Sequence, residues 1–288
     1  MQSYLLIIAA TLLLALEFAI SKRYQASVGT SATAGLFFNA ANGFFTVIVF
    51  FAINGFKLSV TPYSLIMASL MALFAASYVL IGFKVLKAGG VSLYTMFLMT
   101  GGMLLPYLWG TVRLAEEFSA LRLIGLLLII GAVVLTNLSH GVRSKYLIAL
   151  CVAVFVLNGL VSIVSKEHQI EGSYPTVSSP EFVLLSGAAK LVLSTAALLF
   201  VKRNDAPSGR TLVRTLPLVI LAAAIGGVSY LLQLIGARDI PATMLYPCVT
   251  GGSVIFSALA GMIFFGEMPT KRGWLAIAIC FIGTCLFI

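Results

Sequence analysis

The sequence predicts an all-α polytopic membrane protein: ten transmembrane helices arranged as two inverted five-helix repeats. Three observations predict it. The 288-residue chain is 60% hydrophobic and only 9% charged, against the roughly 25% charged residues of an ordinary soluble domain. Its apolar residues fall into ten runs, each near the ~20 residues that a spanning helix needs. A set of glycines and scarce polar residues then occurs twice. Thr100-Gly101-Gly102, Glu117 and Arg122 return as Thr250-Gly251-Gly252, Glu267 and Arg272, each displaced by 150. Recurrence at a fixed offset is a repeat signal, and shared apolar composition does not explain matched polar residues.

Shorter fragments extend the match. Ser21-Lys22 with Gln25 answers Ser165-Lys166 with Gln169 at a displacement of 144, and Ser77-Tyr78 answers Ser229-Tyr230 at 152. Drifts of this size are what loop insertions give. The units divide near residue 142, into residues 1–142 and 143–288.

The ten runs are 3–22, 32–54, 62–85, 90–112, 119–139, 145–165, 179–201, 212–236, 240–264 and 270–288. The first lacks a basic leader and contains Glu17, so it reads as a spanning helix and not as a cleaved signal. The second holds Asn39 and Asn42, three residues apart and hence on one face, which should look into the bundle. Pro62 is a natural start for the third, which carries Ser77 and Tyr78. The fourth holds Tyr94, Gly101, Gly102, Pro106 and Gly110, a thin side where another helix can approach; Pro106 frees a carbonyl. The fifth is a strongly apolar strut. Residues 139–145 link the halves. The sixth run carries Asn158, Ser162 and Ser165 and is followed by the polar stretch 166–180. The seventh has Lys190 near its middle. The basic connection 202–214 leads to the eighth, with Ser229, Tyr230 and Gln233. The ninth holds Tyr246, Pro247, Gly251 and Gly252, and the tenth runs to the C-terminus.

An odd number of helices per unit reverses the second copy in the membrane. That is the plan of many secondary transporters, with the substrate site between the halves near mid-membrane. Two nearly equivalent packings of one half on the other give alternating access a structural basis. Twelve Lys and Arg follow odd-numbered runs and five follow even-numbered ones, so the positive-inside rule puts both chain ends outside.

The Gly-Gly pair, an apolar run, Glu117 or Glu267, a short polar turn and a final glycine-containing helix together resemble the repeat of the drug/metabolite transporter superfamily, in its ten-helix EamA-like branch. The resemblance covers the whole chain. It implies inverted repeats, peripheral fifth and tenth helices, a cavity lined by the other eight, transport or export of small metabolites, and both ends in the cytoplasm. Glu17 is similar in placement to the first-helix glutamate of the small multidrug resistance transporters, which binds protons and cationic substrates. The sixth run has Asn158 near the comparable depth and no glutamate, so that two-carboxylate mechanism does not carry over whole.

Glu17 and Lys190 are the ionisable residues well inside predicted spans. A lysine at mid-helix costs roughly 2.5–3.5 kcal/mol on insertion scales. Lys190 lies about 11 residues, or roughly 16 Å, from either end of its helix, too deep for easy snorkelling. The functional reading is a cavity pair. Glu17 takes a proton or an amine, and Lys190 balances it or meets a substrate carboxylate. Asn42, Asn158 and Gln233 offer donors and acceptors that hydrocarbon would leave unpaired. Tyr78, Tyr94, Tyr230 and Tyr246 would form amphipathic walls. Gly101, Gly102, Gly251 and Gly252 read as packing positions. Glu117 and Glu267, at membrane edges before a helix start, read as structural carboxylates at helix N-termini.

Other function classes find little support. Cys151, Cys248, Cys280 and Cys285 lie within apolar runs as small hydrophobes, and His140 and His168 stand apart in connecting segments, so no metal site or catalytic triad is assembled. The glycine pairs lack the Gly-Lys-Ser/Thr continuation of an ATP-binding loop. The net charge of +9 belongs to headgroup contacts and not to nucleic acid. The expectation is a multi-pass cell-membrane protein of the bacterial inner or cytoplasmic membrane type. It works without cofactor or metal, and its partners are a small-molecule substrate, membrane lipids and a coupling ion such as the proton. It is a monomer or weak homodimer. A passive channel or facilitator is the alternative.

Overall fold

The computed structural model describes residues 2–29, 31–137, 144–201 and 207–287. Every regular element among them is a helix: α1 (Gln2–Val28), α2 (Ala32–Ile53), α3 (Pro62–Val112), α4 (Ala120–Asn137), α5 (Lys145–Ile170), α6 (Ser179–Phe200), α7 (Gly209–Asp239), α8 (Ala242–Phe265) and α9 (Lys271–Cys285). Local chemistry sets their starts. The side chains of Ser31, Thr61, Ser208 and Thr270 accept backbone N–H groups in the first turns of α2, α3, α7 and α9, and Ser178 with Glu181 forms a reciprocal cap on α6. Such caps satisfy donors that a helix start leaves open. The predicted division at residue 142, His140 and residues 202–206 of the basic connection lie outside the described residues.

The predicted third and fourth helices form one helical element, yet α3 is not one span. Ser64 Oγ lies 2.8 Å from His168 Nε2, and Trp109 Nε1 donates to Glu167 Oε1 at 2.6 Å. Neighbouring residues of α5 thus meet both ends of α3, whereas in a straight helix residues 64 and 109 would stand about 68 Å apart. A side chain on Gly82 would strike the Tyr94 ring. The element therefore doubles back between those two residues, and its arms run antiparallel and parallel to α5.

Among the described residues, seven helices are long and apolar enough to cross a membrane by length and composition: α1, α2, the arm Pro62–Leu86, α5, α6, α7 and α8. Of the ten expected spans, seven meet that measure. The fold has about ten helical segments, and the second arm of α3, α4 and α9 fall outside that set. The apolar part of α4 is only Ala120–Leu135, and α9 has 15 residues. Two helices run further than predicted. α1 continues through Ser21-Lys22-Arg23 to Gly29, whose φ of 92° ends it, and α5 continues through the stretch predicted as a connection, because Lys166 and His168 are buried there with partners.

The packing is pseudo-symmetric. α2 lies on α6 and α4 on α9, while α1 packs on α7 and α8 as α5 packs on the two arms of α3. At the α2–α6 crossing a Cβ on Gly43 would come within 2.6 Å of the Gly187 carbonyl oxygen, and one on Gly187 within 3.2 Å of the Gly43 carbonyl. Gly125 and Gly283 answer each other in the same way between α4 and α9, at 2.7 and 2.9 Å. Reciprocal close approaches at these two crossings accompany the pseudo-symmetric pairing of α2 with α6 and α4 with α9. Asn42 reaches Lys190 while Ser59, further along, reaches Glu181, so α2 and α6 cross antiparallel.

The turn after each glycine-rich helix also repeats. Glu116 N–H donates to the Gly110 carbonyl at 3.0 Å, and Glu267 N–H to the Gly261 carbonyl at 3.1 Å. The residue before each glutamate is left-handed, Ala115 at φ 52° and Gly266 at φ 65°. The structural register at this turn is thus a displacement of 151, and the counterpart of Glu267 is Glu116.

Two stability predictions follow from these contacts. The Gly43→Ala methyl would meet backbone atoms at 2.6 and 2.8 Å, so thermal unfolding of the purified protein should show a loss of about 1–3 kcal/mol, the usual cost of overpacking. An unchanged midpoint would mean that α2 and α6 do not approach so closely. Ala115→Gly should stabilise by up to about 1 kcal/mol, the left-handed cost of about 1–2 kcal/mol less the freedom glycine adds to the unfolded chain.

Candidate functional site

The glycine crossing of α2 and α6 borders a cavity of about 490 Å³, lined from α1, α2, both arms of α3, α5, α6, α7 and α8. α4 and α9 supply none of its lining residues. Its charged centre is built from three helices. Lys190 Nζ on α6 donates to Asn42 Oδ1 on α2 at 2.7 Å. The Glu17 carboxyl on α1 rests over Gly226 of α7, in the space a side chain there would fill, and attracts Lys190 across the cavity. Gly226 therefore gives the carboxylate its seat.

Several other polar groups tie elements together at the wall. Asn158 Nδ2 donates to the Leu98 carbonyl at 2.7 Å, and Tyr246 Oη to the Ser162 carbonyl at 2.5 Å. Tyr230 Oη lies 2.9 Å from Ser165 Oγ and 3.1 Å from Met71 Sδ. Gln233 Nε2 donates to Ser229 Oγ, whose own hydroxyl donates to the Ala10 carbonyl at 2.7 Å. These bonds are the interhelical pairing that apolar surroundings demand.

Of the residues singled out from the sequence, Glu17, Asn42, Tyr78, Asn158, Lys190, Tyr230, Gln233 and Tyr246 line this cavity. Tyr94 does not. Its ring packs on Gly82, in an apolar cluster with Tyr78, Val85 and Leu147, because the fold-back of α3 turns that wall inward. Ser186 is a lining residue that the sequence reading passed over. It sits one turn before Lys190, a spacing that places both on one face and was available as a signal.

The two glycine pairs lie at helix crossings. Gly101 faces the backbone of Phe155 and Gly102 the side chain of Asn158, while Gly251 faces Thr284 and Gly252 faces Thr11. The repeated carboxylates divide their work differently from the expectation. Glu267 pairs with Lys22. Glu117 is exposed, and its neighbour Glu116 accepts the backbone N–H groups of Ala242 and Thr243 at 2.7 and 2.8 Å, capping α8.

One end of the bundle is tied by a dense set of such bonds. Lys166, 4% exposed, donates to the Ala237 and Ile240 carbonyls at 2.6 and 2.8 Å, at the negative end of α7 where a cation is favoured. Arg238 reaches Gln169 and Ser179. His168, which the sequence left isolated in a connecting segment, is buried in the last turns of α5. It is stacked at 3.7 Å on Phe182 and bonded to Ser64 and Gln169. Beyond it the Ser173 backbone N–H holds the Glu171 carboxyl below its ordinary range. The opposite end includes the Lys22–Glu267 pair and the bond from Tyr24 to the Ala34 carbonyl. No group of three or more His, Cys, Asp or Glu among the described residues could hold a metal ion.

Comparison with known proteins adds a family and a fold. The model of the EamA-like transporter family matches residues 144–288, half of the chain. No curated protein matches. Among solved structures, one described as "Crystal structure of protein" superposes with a TM-score of 0.78 at 15% identity, covering 99% of this chain and 96% of that one. At that identity the likeness is one of fold.

The register of the turn is open to direct test. Glu116→Ala removes the α8 cap and should cost about 0.5–2 kcal/mol in thermal unfolding, whereas Glu117→Ala should stay within about 0.5 kcal/mol, as exposed substitutions do. The reverse ranking would restore Glu117 as the structural carboxylate.

Proposed function

We propose that this chain, which belongs to the EamA-like transporter family, is a secondary transporter that moves a small polar or amphipathic metabolite by alternating access. It is a multi-pass membrane protein, and its fold is that of proteins that carry small solutes across membranes. The finer reading has residues 1–142 and 143–288 as inverted five-helix repeats with the substrate site between them. The antiparallel crossing of α2 and α6 at Gly43 and Gly187 supports inversion, since in a parallel duplication these corresponding helices would run in the same direction.

The observation that carries the proposal is the cavity itself, bounded by both halves and holding Glu17 and Lys190 at its centre. Charges are retained at such depth, at a cost of several kcal/mol, where they act on something that enters. Glu17, Asn42, Lys190 and the tyrosines Tyr78, Tyr230 and Tyr246 are the residues proposed to meet substrate or a coupling ion. The bonded end built around Lys166, Arg238 and His168 fits a state closed on that side. In the return state those bonds would part, and the end carrying Lys22 and Glu267 would close.

Two substitutions test this. The purified protein in liposomes should take up members of a metabolite panel, and Glu17→Gln or Lys190→Ala should reduce the rate at least about tenfold, the scale of one lost charge-assisted contact, with folding retained. Rates unchanged in both variants would take the pair out of the pathway. Proton coupling adds a second readout. An imposed pH gradient should drive uptake in the parent and fail to do so in Glu17→Gln.

A further inference from the structure

We infer that the α2–α6 crossing holds a carboxylate-binding subsite, formed by Asn42, Ser186 and Lys190, and that the solute carried is an amphipathic carboxylate. The inference rests on the transport reading above and names its substrate class.

Asn42 and Ser186 are 4% and 8% exposed and both line the cavity. Asn42 Nδ2 and Ser186 Oγ are nevertheless buried atoms without a hydrogen-bond partner among the described residues. Elsewhere on the wall the polar groups of Asn158, Ser162, Tyr230 and Tyr246 are bonded to their neighbours. Leaving a buried donor open costs about 1–3 kcal/mol, and two such groups at one place call for a ligand.

The chemistry of that ligand follows from Lys190. An ammonium only donates, so the oxygen of Asn42 must face it, as the 2.7 Å bond requires. This fixes the amide: its acceptor is used and its N–H₂ is turned away. What the crossing offers an incoming group is therefore the N–H₂ of Asn42, the positive charge of Lys190 and the hydroxyl of Ser186. Those are donors and a cation, the complement of a carboxylate and the wrong surroundings for an amine. Glu17, the cavity carboxylate, rests over Gly226 of α7.

The glycine crossing explains why the two open groups lie together. Asn42 lies one residue before Gly43 on α2, and Ser186 one residue before Gly187 on α6. The two side chains therefore flank the point where the backbones are closest. The same cavity is lined by Met71, Tyr78, Val249 and Tyr230, walls suited to an apolar or aromatic body.

The test uses the full chain in detergent and a matched series of probes: propionate, 3-phenylpropionate, 3-phenylpropionamide and 3-phenylpropylamine, titrated by calorimetry, with sodium chloride as the anion control. Phenylpropionate should bind at least about tenfold more tightly than the amide or the amine, the worth of a charge-assisted bond. Asn42→Asp keeps an oxygen for Lys190 while replacing the N–H₂ by an acceptor, and should weaken phenylpropionate about tenfold or more. Ser186→Ala, which removes only a hydroxyl, should weaken it by less and leave the unfolding midpoint in place.

The proposal is overturned if neither carboxylate binds, if the amide or amine binds as well as the acid, if both variants bind like the parent, or if chloride displaces phenylpropionate at equal concentration. Counterflow in liposomes separates this from the wider reading. Uptake of a cation or neutral solute that depends on Glu17 would leave the transporter standing and remove the carboxylate. Carboxylate binding without counterflow would leave the subsite and remove transport.

Discussion

The hydrogen bond from Lys190 to Asn42 exists because Gly43 and Gly187 let two helix backbones come within side-chain-free distance. With a Cβ at either glycine, α2 and α6 would part and the lysine would face an apolar wall with its ammonium unmet. In a medium that offers no water to the chain, that is the costliest outcome available. The rest of the central arrangement is set around this crossing. The amide of Asn42 can turn only one way, Ser186 is brought to its side, and Glu17 is drawn to the same cavity with Gly226 making room for it. Close backbone approach comes first, and the polar chemistry is what that approach makes tolerable.

Much of this was legible in the sequence. The hydrophobic runs gave the helices, and a lysine and a glutamate deep within them pointed to a cavity, because charge has few other places to go in hydrocarbon. Most of the polar residues singled out on those grounds line it. Periodicity could not reveal that the helical backbone persists between the third and fourth runs, since a sharp fold-back needs no loss of helical sequence character. The fate of Tyr94 depended on that bend. Nor could a run of polar residues after the sixth helix be told from a loop: Lys166 and His168 stay helical only because α3, α6 and α7 supply their partners.

The Glu117 position is a different kind of misreading. A displacement of 150 aligned Thr, Gly and Glu in both copies, and an adjacent pair of glutamates let that register pass unopposed. The backbone places the match one residue earlier. Ala115 takes the left-handed conformation that Gly266 takes in the other copy, and the carboxylate that follows each is the one aimed back along its helix. Glycine would have marked the turn in both halves; alanine in one of them hid it.

The two halves agree in backbone and differ in side chain. The displacement of 144 that relates Ser21-Lys22 to Ser165-Lys166 pairs Glu17 with Val161, and the displacement of 147 between the caps Ser31 and Ser178 pairs Lys190 with Gly43. A charge in one half thus faces an uncharged counterpart in the other. The close approaches that hold the frame are reciprocal, but the cavity presents its cation from α6 and its anion from α1. A fully symmetric cavity would bind a solute in two opposed poses with equal affinity. This one is unsymmetrical, with the cation and its donors at the α2–α6 crossing and a carboxylate over Gly226. A few differing side chains on two reciprocal glycine crossings are enough to make a pseudo-symmetric hollow unequal in charge.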